Sequence, residues 1–460
     1  MTRYSTLSYT FILMAVFLLG GCSGLLHRSQ YARPDVSVPQ QWQATSVTGS
    51  SVATKEQWWH DFNDSILSEL IERALLTNND LAAATIKVKR AQLSSRLIDT
   101  NLTPAFSATA SSSLNRDLGD HRETKTSGAT ISASYELDLW GKLASARDAG
   151  RWEAEATEFD RRSTALTLVG TVATNYWTIA YLNERISTVE ASIVNAERIL
   201  ELVEVKYQAG AVSALDKVQA RQTIASQKAQ LTQLQQQRVE ARNALAILFD
   251  QAPENTLPEL QRLPSGSLPA VAAGLPASIL AQRPDLQATE RRLKKYLASI
   301  DNTRASYYPS FTLTGSLGTS STSLVDVIRN PYAVLGAGLS LPFIQWNTMK
   351  LNLEIARTDY EEAVVNFRQT LYSALSDVEN ALSARTHYAE EVKQREASLA
   401  LSEKAEELAE IRYRAGATEL LPWLDAQESR REAETALAAV RLAQLKTSMT
   451  IYQALGGSML

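Results

Sequence analysis

One cysteine occurs in the 460 residues, Cys22, and its setting has a definite chemistry. It follows an uncharged run from Tyr4 to Gly21, centred on Phe11 to Leu19 and preceded by a single basic residue, Arg3. Leu19-Gly20-Gly21-Cys22 sets a leucine three positions before the cysteine with two small residues between. That is the arrangement in which the thiol takes a diacylglyceryl group and the preceding peptide is cleaved, so residues 1–21 are expected to be a signal peptide and Cys22 the acylated N-terminus. An uncleaved anchor is the plainer alternative, but 18 residues lie at the lower edge of spanning length and the small residues favour cleavage. Ser23 rather than Asp follows, as in lipoproteins sorted to the outer membrane. With no second cysteine, no intrachain disulfide can form.

The remaining reactive side chains form no catalytic constellation. His27, His60, His121 and His387 are scattered, with no pair at helical ligand spacing, so no metal site is expected. No Gly-x-Ser-x-Gly elbow, phosphate loop or dinucleotide fingerprint occurs, so neither an enzyme nor a cofactor is expected. A formal net charge of −4 without a basic stripe argues against nucleic acid as a partner. Four residues stand out beside two glycines. Asp216 lies six positions after Gly210 and Asp425 nine after Gly416, while Arg412 and Tyr413 precede the second glycine. Near helix ends such charges are favoured by the macrodipole at about 0.3 to 1 kcal/mol, which by itself implies no function.

The elements carrying these residues repeat. Lys206-Tyr-Gln-Ala-Gly210-Ala matches Arg412-Tyr-Arg-Ala-Gly416-Ala; Asp80-Leu81 matches Asp285-Leu286; Pro104-x-Phe106 matches Pro309-x-Phe311. A nearly constant offset signals duplication of a unit reading helix, strand, strand, very long helix, tight turn, helix. The expected organisation is an extended arm over 22–60, a first repeat over 61–250, a proline-punctuated linker over 251–284 and a second repeat over 285–460. Hairpins are expected at about 104–140 and 309–346, and tip turns at about 209–213 and 414–418. Helices are predicted at 66–100, 143–208, 213–250, 285–306, 348–414 and 419–455. The two long ones would each run roughly 100 Å at 1.5 Å per residue. Ile186, Val189, Ile193, Ala196, Leu200, Val203 and Tyr207 recur at heptad spacing, a coiled-coil seam.

The strands alternate. Ala129, Ile131, Ala133, Tyr135, Leu137 and Leu139 stand against Thr130, Ser132, Ser134, Glu136 and Asp138; Phe311, Leu313, Gly315 and Leu317 stand against Thr312, Thr314, Ser316 and Gly318. One apolar and one small polar face suits a barrel wall between lipid and water, although a half-buried soluble sheet has the same pattern. Beyond the N-terminal run there is no 18-residue apolar stretch, so a membrane passage would be by β-strand. Four strands leave open edges, which hydrocarbon does not tolerate, so other copies must close the wall. Strand number alone does not choose between two copies and three.

Hairpin, long helix, Tyr-x-x-Gly turn and helix, duplicated behind Cys22, resemble the TolC family of outer-membrane efflux channels, in its OprM-like and NodT-like lipoprotein branch. The specific elements are Tyr135-Glu-Leu-Asp-Leu-Trp-Gly-Lys142, Arg283-Pro-Asp-Leu286 and Leu424-Asp-Ala-Gln427. The resemblance implies a mixed α and β membrane fold: a homotrimer with a 12-stranded barrel, four strands per chain, continuous with a long helical barrel and a mixed equatorial belt. It implies a passive outer-membrane conduit in a tripartite pump for small toxic molecules such as drugs, dyes and metal ions. Its partners would be outer-membrane lipid, a periplasmic adaptor and an inner-membrane transporter of the resistance-nodulation-division class. It implies further that Asp216 and Asp425 ring a periplasmic entrance, that Arg412 and Tyr413 latch neighbouring helices, and that Ala209, Gly210, Ala211, Ala415, Gly416 and Ala417 form adaptor-docking tips. A type I protein secretion channel and a non-conducting coiled-coil lipoprotein are the alternatives.

Overall fold

The computed structural model describes residues 28–44, 57–253, 257–269, 276–322 and 329–457. Cys22 and the signal peptide lie outside the described residues. The chain divides into two compact units. The first comprises residues 1–36, 86–159 and 288–369, the second residues 37–85, 160–287 and 370–460.

Among the described residues the helices longer than two turns are α1 Ser65–Thr77, α2 Asn79–Asp99, α3 Lys142–Gln208, α4 Ala214–Ile247, α5 Pro284–Ala305, α6 Trp346–Arg414 and α7 Leu421–Ala454. The helix expected over 66–100 is thus two helices. Asn78 is extended, with ψ at 129°; its side-chain oxygen accepts from the Leu81 amide and its amide donates to the Leu248 carbonyl. It therefore ends α1 and caps α2. The arm expected to be extended throughout 22–60 ends instead in a short 3-10 helix, Trp58–Phe62. There Trp58 stacks on Tyr452 at 4.6 Å and Phe62 packs on Trp177 at 5.3 Å. The linker is not wholly irregular either: Ile279–Gln282 forms a single helical turn.

α3 and α6 run unbroken for 67 and 69 residues. The heptad residues Ile186, Val189 and Ile193 are buried and cluster with Leu182 and with Leu234 of α4, at roughly 1.5 to 3 kcal/mol of apolar burial for each large side chain. Gly170 allows close approach of α7, because a Cβ there would collide with Gln453. Arg283 of the Arg-Pro-Asp-Leu motif is largely buried. It pairs with Asp285 at 2.8 Å and Asp377 at 3.1 Å and donates to the Ala454 carbonyl, tying the start of α5 to α6 and α7. The ion pairs outweigh desolvation and raise its pKa further.

In the first unit four strands, β1 Ala105–Arg116, β2 Glu123–Leu137, β3 Ser310–Ser321 and β4 Pro331–Ser340, form one antiparallel sheet in chain order. The Tyr135 to Lys142 segment couples it to α3. The Asp138 carboxylate accepts from the Leu143 and Ala144 amides, capping α3, and Lys142 pairs with Glu136 at 2.8 Å. Gly141 takes a positive φ of 71° at the corner, and the Trp140 indole donates to the Pro309 carbonyl, linking the two hairpins.

Candidate functional site

Two regions carry functional geometry, the sheet and the pair of tight turns. In the sheet, register fixes which residues share a face, because side chains two apart point the same way and cross-strand partners point together. Phe106 pairs with Ala133, Ala133 with Gly315 and Gly315 with Leu335; Ala108, Ile131, Leu317 and Ala333 form the next row. Phe106, Ile131, Leu317 and Leu335 are all exposed, Leu335 at 91%. The opposite face carries Ser107, Ser132, Ser316 and Val334 in one row and Thr109, Thr130, Gly318 and Tyr332 in another. An apolar face this open needs an apolar medium or partner. The outer edges of β1 and β4 pair with no other described strand, leaving backbone donors and acceptors free.

The two turns lie in the second unit and are built alike. Gly210 and Gly416 both have φ of +73°. The Gly210 amide donates to Tyr207 and the Ala211 amide to Lys206; the Gly416 amide donates to Tyr413 and the Ala417 amide to Arg412. These paired bonds are the Schellman termination of a helix, with glycine at the left-handed position. A Cβ at either glycine would meet nothing within 4 Å, so conformation rather than space requires glycine there. Ala209, Gly210, Ala211, Ala415, Gly416 and Ala417 are all exposed. After the first turn, Ser213 and Asp216 close a capping box: the Asp216 carboxylate accepts from the Ser213 amide and hydroxyl, and Ser213 accepts from the Asp216 amide. The second turn has no side-chain cap; α7 starts at Leu421 with Pro422 in its first turn.

Tyr413 is the centre of the turn region. It is 2% exposed and clusters with Ile199 and Val203 of α3, Ala220 of α4, and Leu420, Trp423 and Leu424 at the start of α7. Its ring lies 5.3 Å from that of Trp423, and the Lys206 ammonium sits 4.1 Å from its centroid, a cation–π contact. Burial first, and the charge of Asp216 second, push its phenol pKa up. Its buried hydroxyl has no hydrogen-bond partner among the described residues. Tyr413 therefore links neighbouring helices through its ring, not through a polar bond.

Arg412 and Asp425 are exposed, and neither side chain makes an ion pair or hydrogen bond with the other described residues. The structure thus gathers Tyr413 with Lys206 and Trp423 and leaves Arg412 and Asp425 turned outward. Each helical hairpin is also zipped by charge: Arg221 and Lys217 reach Glu204 at 3.0 and 3.6 Å, and Arg441 reaches Glu396 at 2.9 Å. Lys206 and Trp423 were not expected as site residues. The Ser213-x-x-Asp216 cap rests on local spacing, whereas the packing of Trp423 on Tyr413 depends on how the hairpins meet.

Comparison with known proteins gives concordant findings. The family described as "Outer membrane efflux protein" matches residues 70–249 and 275–457. The pyoverdine export outer membrane protein OpmQ of Pseudomonas aeruginosa is 33% identical over 97% of this chain and 96% of its own length. The toluene efflux pump outer membrane protein TtgC of Pseudomonas putida is 31% identical over 98% and 96%. Among solved structures, that of CusC superimposes with a TM-score of 0.84 at 28% identity, covering 94% of this chain and 99% of that one.

Proposed function

Since this chain belongs to the outer membrane efflux protein family and is an outer-membrane efflux component, we propose that three copies close its four-stranded sheets into one barrel and act as a passive conduit for small toxic molecules. The observation that carries this reading is the sheet itself, with one face of exposed apolar side chains, one of small hydroxyls, and unpaired edges on β1 and β4. In hydrocarbon each unpaired backbone group costs several kcal/mol, so the edges must be joined to further copies. Twelve strands leave room for water where eight would be filled by side chains. Cys22 adds an acyl anchor that supplements the barrel.

The conduit does no chemistry of its own. Energy comes from an inner-membrane transporter of the resistance-nodulation-division class, and a periplasmic adaptor docks on Ala209 to Ala211 and Ala415 to Ala417, where small exposed residues permit close approach. The gate lies beside these turns. Three-fold symmetry gathers three copies each of Asp216 and Asp425 around an axis, where they attract cations. Arg412, unpaired among the described residues, supplies the polar link to an adjacent copy, while Tyr413 holds the helix ends by packing. The relatives' cargoes, pyoverdine in one name and toluene in another, differ, which suits a wide conduit with little cargo code. Deleting the protein and challenging cells with antibiotics, dyes, bile salts and metal ions tests the reading. Sensitivity to several small toxicants, restored by the gene, supports efflux; loss of an exported protein without sensitivity favours secretion instead.

A further inference from the structure

On the hydroxyl face of the sheet one side chain differs from all others. The row Thr109, Thr130, Gly318, Tyr332 crosses all four strands by direct pairing. Among the described residues Tyr332 is the only aromatic on that face, whose other members are mostly Ser, Thr and Gly, with Val334 and Glu136 the other bulky ones. Its ring does not stand off the sheet. A Cβ built on Gly318 would lie 2.8 Å from both the ring Cζ and the hydroxyl oxygen of Tyr332, and 2.8 Å from Thr130 Oγ1. The ring therefore lies across the bare glycine backbone and reaches past β3 to β2, where its hydroxyl hydrogen-bonds the Thr130 hydroxyl at 3.0 Å. In this position Tyr332 is 40% exposed, with one ring face against the sheet.

We propose that Gly318 is a recess that holds Tyr332 flat against the channel wall, and that this pair sets the bore of the lumen near the end of the sheet where β3 passes to β4. The proposal rests on the channel reading above, which makes the hydroxyl face the lumen. The atoms that a side chain at Gly318 would meet are the far end of the Tyr332 ring and one hydroxyl, not backbone. Such a side chain moves the ring and leaves the strand pairing in place. The ring has one way to go, off the sheet and into the lumen, and a three-fold channel does this three times at one level. The bond to Thr130 is the second restraint, keeping the ring down against the drag of passing cargo.

The test is single-channel conductance of the purified trimer in a planar bilayer for wild type, Gly318→Val, Gly318→Ala, Tyr332→Ala and Gly318→Val with Tyr332→Ala. The expected result is a loss of conductance in Gly318→Val, a smaller loss in Gly318→Ala, and recovery in the double variant, because the obstruction is the displaced ring. Tyr332→Ala alone conducts at least as well as wild type. In cells Gly318→Val loses efflux of bulky cargo before that of small cargo. Wild-type conductance in Gly318→Val trimers, or a double variant as impaired as Gly318→Val, overturns the proposal while leaving the channel reading intact. A wild-type trimer that inserts and never conducts overturns both.

Discussion

Replacing Tyr413 by Phe separates the two things its side chain could do. The ring is buried with six other residues from α3, α4 and the start of α7, and the hydroxyl is buried without a partner among the described residues. A buried hydroxyl that makes no hydrogen bond costs about 1 to 3 kcal/mol of desolvation, so its removal is neutral or stabilising, by up to about 1 kcal/mol. Tyr413→Phe keeps the contact with Trp423 and presents an aromatic face to Lys206. Tyr413→Ala removes both and leaves a cavity, at about 3 to 5 kcal/mol for an aromatic core residue. Hydrogen exchange at the turn reads both effects locally, through the Ala417 amide bonded to the Arg412 carbonyl and the Trp423 amide bonded to the Leu420 carbonyl. Equal or slower exchange is expected in the Phe variant, and faster exchange by two or more orders of magnitude in the Ala variant. If Phe costs as much protection as Ala, the hydroxyl has a partner in the assembled channel and the packing account of Tyr413 is wrong.

The gate divides the same way. Arg412→Ser is expected to raise the conductance of the isolated trimer and Tyr413→Phe to leave it unchanged; the reverse outcome would assign the latch to the phenol. Asp425→Ala should weaken cation selectivity and block by multivalent cations, and unchanged reversal potentials would reduce Asp425 to a helix-end charge. Bulky replacement of Ala211 or Ala417 by Phe should cut efflux while trimers and membrane insertion persist; loss of trimers would instead point to folding. Cys22→Ser should abolish fatty-acid labelling yet leave protein in the outer membrane, and its complete release to the soluble periplasm would count against the barrel.

Much of this architecture is legible in the chain because local chemistry and pattern agree. Gly210 and Gly416 follow long proline-free periodic segments, and both adopt the left-handed cap that glycine alone takes without penalty. The alternation over Ala129 to Leu137 puts its apolar and polar members on opposite faces of β2, as the register requires. The features without a clear sign in the sequence are of two kinds. Asn78 offered the capping chemistry that splits α1 from α2, but an uninterrupted helical period masked it. Trp58 and Trp59, in a polar arm without period, gave no local sign of the aromatic cluster with Tyr452, which lies almost 400 residues away in sequence. Tyr413 shows the limit most clearly. Its place at a helix end was readable, but Lys206 and Trp423 reach it only when separate hairpins pack, and no spacing rule encodes that.

The central claim is that this protein assembles into a water-filled pore. Purified trimer reconstituted into a planar lipid bilayer tests it directly. The account predicts discrete conductance steps, small in the closed state and enlarged by Arg412→Ser. Protein that inserts into the bilayer as an intact trimer and conducts under neither condition would contradict it.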